Sequence, residues 1–397
     1  MRVVIAALSA PSSFNGVSRH AANLVRSLLS RPDAPQVHFL AGEWQREMFA
    51  SAIARADSRL HVHWIPLRHS NFSRILWYHR ELPAIAAQLD ADVLHMTFPA
   101  PVRAEAHRCP TVVSLHDLYP FDIPVNFGFI HSEISRRLMR QCLTKIDAIA
   151  CVSKFTESRL SACFSSEICQ KAVTIPNSVE PMHGSACRAL EPFRTGDTFV
   201  LCIAQHRQNK NLPFAIRVFA RALEMHVLPR NAKLLILGIP GPDTLRVLTE
   251  IRNLNLGGRV VLRNGISEPE LLWCYRNCAF LFAPSSIEGF GLPVVEALIA
   301  GCPVVCSDIP AFREVGGHRC RYVALNHDST EEFLRAFKDT LAGPKSPCIS
   351  MPELTPASIG GRYMELYLQL NGCPAVSQNG ILQAPASEVR KVESPVS

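Results

Sequence analysis

The chain has 397 residues, 48% of them hydrophobic and 19% charged, with a formal net charge of +7. The length predicts two domains or three, since single cores stop growing well before it; the apolar share excludes a disordered chain, and 20 glycines and 29 prolines without a fixed period exclude a fibrous one. The charge is diffuse, with 19 Lys+Arg against 15 Asp+Glu in residues 1–180 and 22 against 19 in 181–397, which excludes the basic stripe of a nucleic-acid binder and suits anionic small ligands or an anionic membrane surface.

Strands and helices alternate from end to end. Arg2 to Leu8 is a near-continuous apolar run, as in a strand covered on both faces. A turn follows at Ser12 to Gly16, and Val17 to Leu29 carries Ala21, Leu24, Val25 and Leu28 at helical spacing. Val37 to Leu40, His61 to Ile65, Asp92 to Met96, Thr111 to His116 and Ala148 to Val152 are further predicted strands. Between the last two, Ile134, Leu138, Cys142 and Ile146 step by four as a helix does. Pro, Gly and Ser collect near 180–197, which predicts the linker. Strands resume at Phe199 to Ala204, Leu234 to Gly238, Val260 to Arg263, Ala279 to Ala283, Pro303 to Cys306 and Tyr322 to Leu325, separated by helices such as Pro213 to Met225 and Asp243 to Asn253. A last helix spans Ile359 to Leu370, and a loose tail follows from Asn371.

This alternation predicts an α/β protein of two Rossmann-like, doubly wound domains facing a cleft: residues 1–184 and 185–350, then a helix over 351–370 and a tail over 371–397. Ligands bind at the carboxyl edge of such sheets. The longest apolar runs fall far below the roughly 20 residues of a spanning helix. The 14 cysteines include no C-x-x-C pair and many lie in apolar runs, so they read as reduced core residues of a cytoplasmic protein. Cys274 and Cys278 lack partners at ligand spacing, so no metal site is expected; His61 and His63 read as half-buried strand residues.

The densest chemistry lies in Pro284 to Val305. Gly289 and Gly291 follow a strand and let the backbone approach a ligand closely. Pro293 suits a helix start and Gly301 its stop, so this helix start offers free N–H groups to an anion. Glu288 and Glu296, eight residues apart, suit sugar hydroxyls better than phosphate. A second cluster, Ala204 to Asn211, follows another strand and holds Arg207, Asn209 and Lys210, a fork and a point charge suited to a diphosphate.

Glu288-Gly289-Phe290-Gly291-Leu292-Pro293 with Glu296 resembles the retaining glycosyltransferases of GT-B fold, family 4, the "glycosyl transferases group 1" type. Asn15-Gly16-Val17-Ser18-Arg19-His20 resembles that family's N-terminal glycine loop, and Leu115-His116-Asp117-Leu118 its His-Asp segment. Val152 to Thr156, Ile175 to Val179, Ser267 to Leu272 with Tyr275, and Pro310 to Val315 follow the pattern too, so the likeness covers roughly residues 1–370. It implies that His116 and Glu288 border the donor sugar, that Glu296 takes the ribose, and that Gly16, Asn209, Gly289, Phe290, Gly291 and Leu292 line the donor. Many relatives have Gly-Arg where Ala204-Gln205 stands; Lys210 falls in place, and Arg207, displaced by two residues, is either the substitute for the missing Arg or a solvated loop residue.

The implied reaction moves a hexose from a GDP- or UDP-sugar co-substrate to a glycan or lipid-linked acceptor, without metal or cofactor. Segment 68–80 mixes basic and aromatic residues, as would a peripheral contact with an anionic membrane or an amphipathic helix packed on the sheet. A GT-B epimerase and a silent nucleotide-sugar binder remain alternatives. An NAD-dependent oxidoreductase is disfavoured, because Leu8 to Gly16 lacks G-x-G-x-x-G.

Overall fold

A computed structural model describes residues 1–10, 14–53, 57–124, 128–180, 187–344 and 346–372. Part of the expected linker, 181–186, and the tail from 373 lie outside the described residues. The first sheet holds β1 (Arg2–Ala6), β2 (Gln36–Gly42), β3 (Leu60–Ile65), β4 (Val93–Met96), β5 (Thr111–Leu115), β6 (Ala148–Cys151) and β7 (Ala172–Thr174), in the order β3-β2-β1-β4-β5-β6-β7. The second holds β8 (Phe199–Ile203), β9 (Lys233–Leu237), β10 (Val260–Arg263), β11 (Phe280–Ala283), β12 (Val304–Ser307) and β13 (Arg321–Val323), in the order β10-β9-β8-β11-β12-β13. The strands of both sheets pair in parallel. Strand order reverses between β1 and β4 and again between β8 and β11, which is where doubly wound sheets bind ligands.

The apolar runs are continuous because each sheet is covered on both faces. In β1, Val3 and Ile5 face a core with Leu24, Val25 and Tyr363, while Val4 and Ala6 face another with Trp77, Met96 and Leu143. The short β7 had no sequence signal: its three residues are all half-buried, so no alternation marks them. His63 is half-buried as expected, whereas His61 is exposed.

The C-terminal helix, Pro356–Leu370, crosses back to the first domain and packs beside the helix Gly16–Leu29. A buried chain of hydrogen bonds fixes it there. The Tyr367 hydroxyl meets His95 Nδ1 at 2.5 Å, Ser114 Oγ joins His95 Nε2 at 2.8 Å and His20 Nε2 at 2.7 Å, and His20 Nδ1 reaches Asn177 Oδ1 at 2.7 Å. Asn177 and Ser178 thus hold the first helix, Ser178 through a 2.9 Å bond from Ser27 Oγ.

Segment 68–80 is divided. A short helix, Asn71–Leu76, runs into a wider turn, Trp77–Glu81. Trp77 and Tyr78 are buried in the core, while Phe72 is 75% exposed and Arg68 and Arg80 are exposed too. Cys278 Sγ lies 3.3 Å from Cys302 Sγ and Cys274 is buried, so these thiols pack a core. Among the described residues, no helix is long and apolar enough to cross a membrane.

Candidate active site

The loops after β8 and β11, at the reversal point of the second sheet, meet the loop after β5 and the helix start after β1 of the first. After β8, residues 204–211 end in a tight turn, Gln208–Lys210, and Asn211 adopts a left-handed conformation (φ 54°). The turn presents Lys210 to the loop after β11. Lys210 Nζ donates to both Glu288 oxygens, at 2.5 and 2.7 Å. Asn209 is buried and ties the two loops: its Nδ2 donates to the Ile287 carbonyl at 3.2 Å, and its own carbonyl accepts from Ser286 N at 2.8 Å. A pocket here is lined by Ala204, Lys210, Ser285, Glu288, Pro293 and Val294.

Gly289 explains itself by space. A Cβ at this position would overlap the His116 carbonyl oxygen of the opposite domain. The Gly289 carbonyl also accepts from Ser153 Oγ at 2.5 Å and Thr156 Oγ1 at 3.1 Å. Gly291 has φ 106°, a conformation that side chains disfavour, and it opens the helix Leu292–Ile299. Phe290 is buried and Leu292 half-buried against the second domain's core. Pro293 sits in the first turn of this helix and Gly301 just beyond its end.

The first domain supplies the facing wall. His116, at the end of β5, lies on the Thr97 carbonyl through Nε2 at 2.8 Å. A carbonyl only accepts, so Nε2 carries the proton and Nδ1 is left as an acceptor. Burial lowers the His116 pKa, offset by that bond, and keeps the ring neutral. Asp117 beside it is raised to about 6 by burial, countered by the Tyr119 N–H that it accepts at 3.0 Å and by the charge of Arg207. Arg207 therefore lies on the cleft side, within electrostatic reach of Asp117 and Tyr119. Gly16 opens the first helix, whose start is fixed by reciprocal bonds between Asn15 and Ser18.

Several contacts were not legible in the residue pattern. Arg19, three residues after Gly16, pairs across the cleft with Glu296. Tyr275 donates to the other Glu296 oxygen at 2.8 Å. Tyr119 OH reaches Glu288 Oε2 at 3.3 Å. Glu314 accepts the N–H groups of Lys154 and Phe155, at 2.9 and 3.2 Å, so a carboxylate of the second domain caps a helix of the first. Ser and Thr at 153 and 156 are a visible helix-start signal. Their second role, bonding Gly289, depends on a residue 136 and 133 positions away, respectively.

Two doubly wound sheets closing on a Glu-x7-Glu loop define a GT-B glycosyltransferase. Residues 14–182 match the family model described as Glycosyltransferase Family 4, and residues 187–348 match the one described as Glycosyl transferases group 1. The chain belongs to this family 4, group 1 type of glycosyltransferase. The O-antigen chain mannosyltransferase RfbU of Salmonella typhimurium is 25% identical over 234 residues, 57% of this chain and 60% of that one, so the match spans less than two thirds of that relative. O-antigen chain mannosyltransferase B of Escherichia coli is 22% identical over 336 residues, 80% of this chain and 85% of its own. Among solved structures, sucrose-phosphate synthase from Thermosynechococcus elongatus superposes with a TM-score of 0.67 at 14% identity, over 94% of this chain and 99% of that one. HepE of Anabaena in complex with UDP-glucose gives 0.63 at 13% identity, over 94% and 97%. At these identities the structures speak to the fold alone.

Proposed function

We propose that the chain is a retaining hexosyltransferase that needs no metal, acting in the cytoplasm, and that it moves a hexose, mannose first among the choices, from a nucleotide diphosphate sugar to a glycan or lipid-linked acceptor in polysaccharide synthesis. The observation that carries this reading is the Lys210–Glu288 pair at the carboxyl ends of β8 and β11, opposite His116. The mannosyltransferase names of the relatives favour the hexose and the process.

In this reading the C-terminal domain binds the donor. Glu288 and the free Nδ1 of His116 accept sugar hydroxyls, and Glu296 accepts those of the ribose. The bond between C1 and the phosphate oxygen breaks, its electron pair staying on the diphosphate, while the acceptor oxygen bonds C1 on the same face. The acceptor proton passes to the departing phosphate. Lys210 and Arg207 hold the charge that develops there, the task that otherwise falls to a cation. The acceptor lies on the N-terminal domain, where exposed Phe72 with Arg68 and Arg80 suits an anionic bilayer surface. Vesicles rich in anionic lipid should sediment the protein in a salt-sensitive way, and a lack of such binding removes the membrane contact.

The decisive experiment incubates the protein with GDP-mannose and a panel of UDP-hexoses, with and without a polyprenyl-diphosphate-linked sugar, in the presence of EDTA. Transfer with retained anomeric configuration is expected. Sugar epimerisation without acceptor would establish the epimerase instead, and binding without turnover the silent binder.

A further inference from the structure

Glu296 is a buried carboxylate, with its side chain 5% exposed, and a buried charge requires partners. It has two. Tyr275, on the adjacent helix of its own domain, donates to Oε2 at 2.8 Å. Arg19 donates to Oε1 from the other domain, 277 residues away in the chain. Arg19 stands in the first turn of the helix Gly16–Leu29, at the reversal point of the first sheet, and its backbone N–H makes that helix's first bond, 2.8 Å to the Asn15 carbonyl. The charge of Glu296 is also the main reason that the Arg19 pKa is raised. An arginine is always charged and its planar fork is fixed, so it can set the rotation of a carboxylate as a lysine cannot.

An ionised carboxylate offers about four acceptor positions. Arg19 uses one on Oε1 and Tyr275 one on Oε2, which leaves one on each oxygen. Two vicinal hydroxyls, such as the 2′ and 3′ groups of a ribose, match that remainder. We propose that Arg19 is a positioning residue of the donor site: from the N-terminal domain it holds Glu296 turned so that its remaining acceptor positions meet the ribose diol, which makes tight nucleotide binding conditional on closure of the two domains. The proposal rests on the nucleotide-sugar reading of the site and adds to it a residue from the opposite domain. Neither the glycine loop nor the Glu-x7-Glu motif assigns this role to Arg19.

The test is calorimetric titration of UDP and GDP, and of their 2′-deoxy counterparts, into the full chain and into Arg19→Ala, Arg19→Lys and Glu296→Gln. Arg19→Ala should weaken the preferred nucleotide about tenfold, the scale of one charge-assisted hydrogen bond. With the 2′-deoxy form the same substitution should cost roughly twofold or less, because the hydroxyl it helps to place is gone. Arg19→Lys, which keeps the charge and the packing of the stem, should fall between. Arg19→Ala binding as the unaltered protein does would overturn the proposal. So would an equal loss for ribose and deoxyribose forms, which would place Arg19 on the phosphates. If the unaltered protein binds neither UDP nor GDP, the donor reading itself fails, and the failure shows before any substitution is made.

Discussion

Gly289→Ala adds one methyl group at the point where the domains meet. The new Cβ would fall well inside the 3.0 Å that real Cβ atoms keep from their neighbours, and the neighbour is the backbone carbonyl of His116 at the end of β5. A backbone carbonyl one residue beyond an interior strand, whose side chain is held on Thr97, cannot swing aside as a side chain can, so the loop must retreat by an ångström or more. That retreat breaks the bonds from Ser153 and Thr156 to the Gly289 carbonyl and the Tyr119 contact to Glu288. At about 1 kcal/mol each, the loss is about 3 kcal/mol, or about two orders of magnitude in the closure equilibrium. A misplacement of about 1 Å at a reacting centre costs about 10²-fold by itself, so both routes lead to the same size of effect. The variant should fold, because each sheet keeps its own cores, and nucleoside diphosphate should still bind through Lys210, though more weakly, since the open form takes Arg19 away from Glu296. Steady-state kinetics should show kcat down about 100-fold or more, with a circular dichroism spectrum like that of the parent. A Gly289→Ala protein with parental kcat would refute the inference that the domains close on this glycine.

Lys210→Ala removes the ammonium that meets both oxygens of Glu288 and should lower turnover by about 10²–10³-fold, measured as nucleotide diphosphate release; near-normal release would remove Lys210 from the chemistry. Acid should destabilise the fold through its buried histidines. Burial holds His20 well below its usual value, His95 down at about 3, and His116 lowered, while unfolded histidines take protons near 6.5. Because the folded pKa values are depressed, this stability is present above about pH 6.5 and lost as pH falls below it. Asp117 runs the other way: raised to about 6, it binds its proton in the fold first, so its share is lost as pH rises from about 4 to about 6. Three groups outweigh one, and Tm should fall between pH 7 and 5, more steeply in Asp117→Asn. A flat Tm over that range would contradict the assignment of neutral, buried rings.

The cover on both faces of each sheet made most strands readable as apolar runs, and the glycine loop beside Glu288 and Glu296 marked the candidate site. Strand runs and loop signatures are local: a residue's neighbours in sequence set its burial period and its turn. Lys210 was legible for the same reason, since it follows β8 at a fixed interval. Arg207 stood at an unusual position in the sequence, and only the packing brought it within reach of Asp117.

What the sequence alone determined was the class of fold; it also pointed to the carboxyl edges of the sheets as the ligand's place and to the carboxylates and lysine of the second domain as candidates. The tertiary structure decided which residues of the first domain meet them: Arg19 on Glu296, Tyr119 on Glu288, Ser153 and Thr156 on Gly289, and the backbone of Lys154 and Phe155 on Glu314. Each of these pairs joins residues more than a hundred positions apart across two separately folded sheets. No periodicity within a window of sequence registers such a pair, because its geometry is set by how two finished domains close on one another.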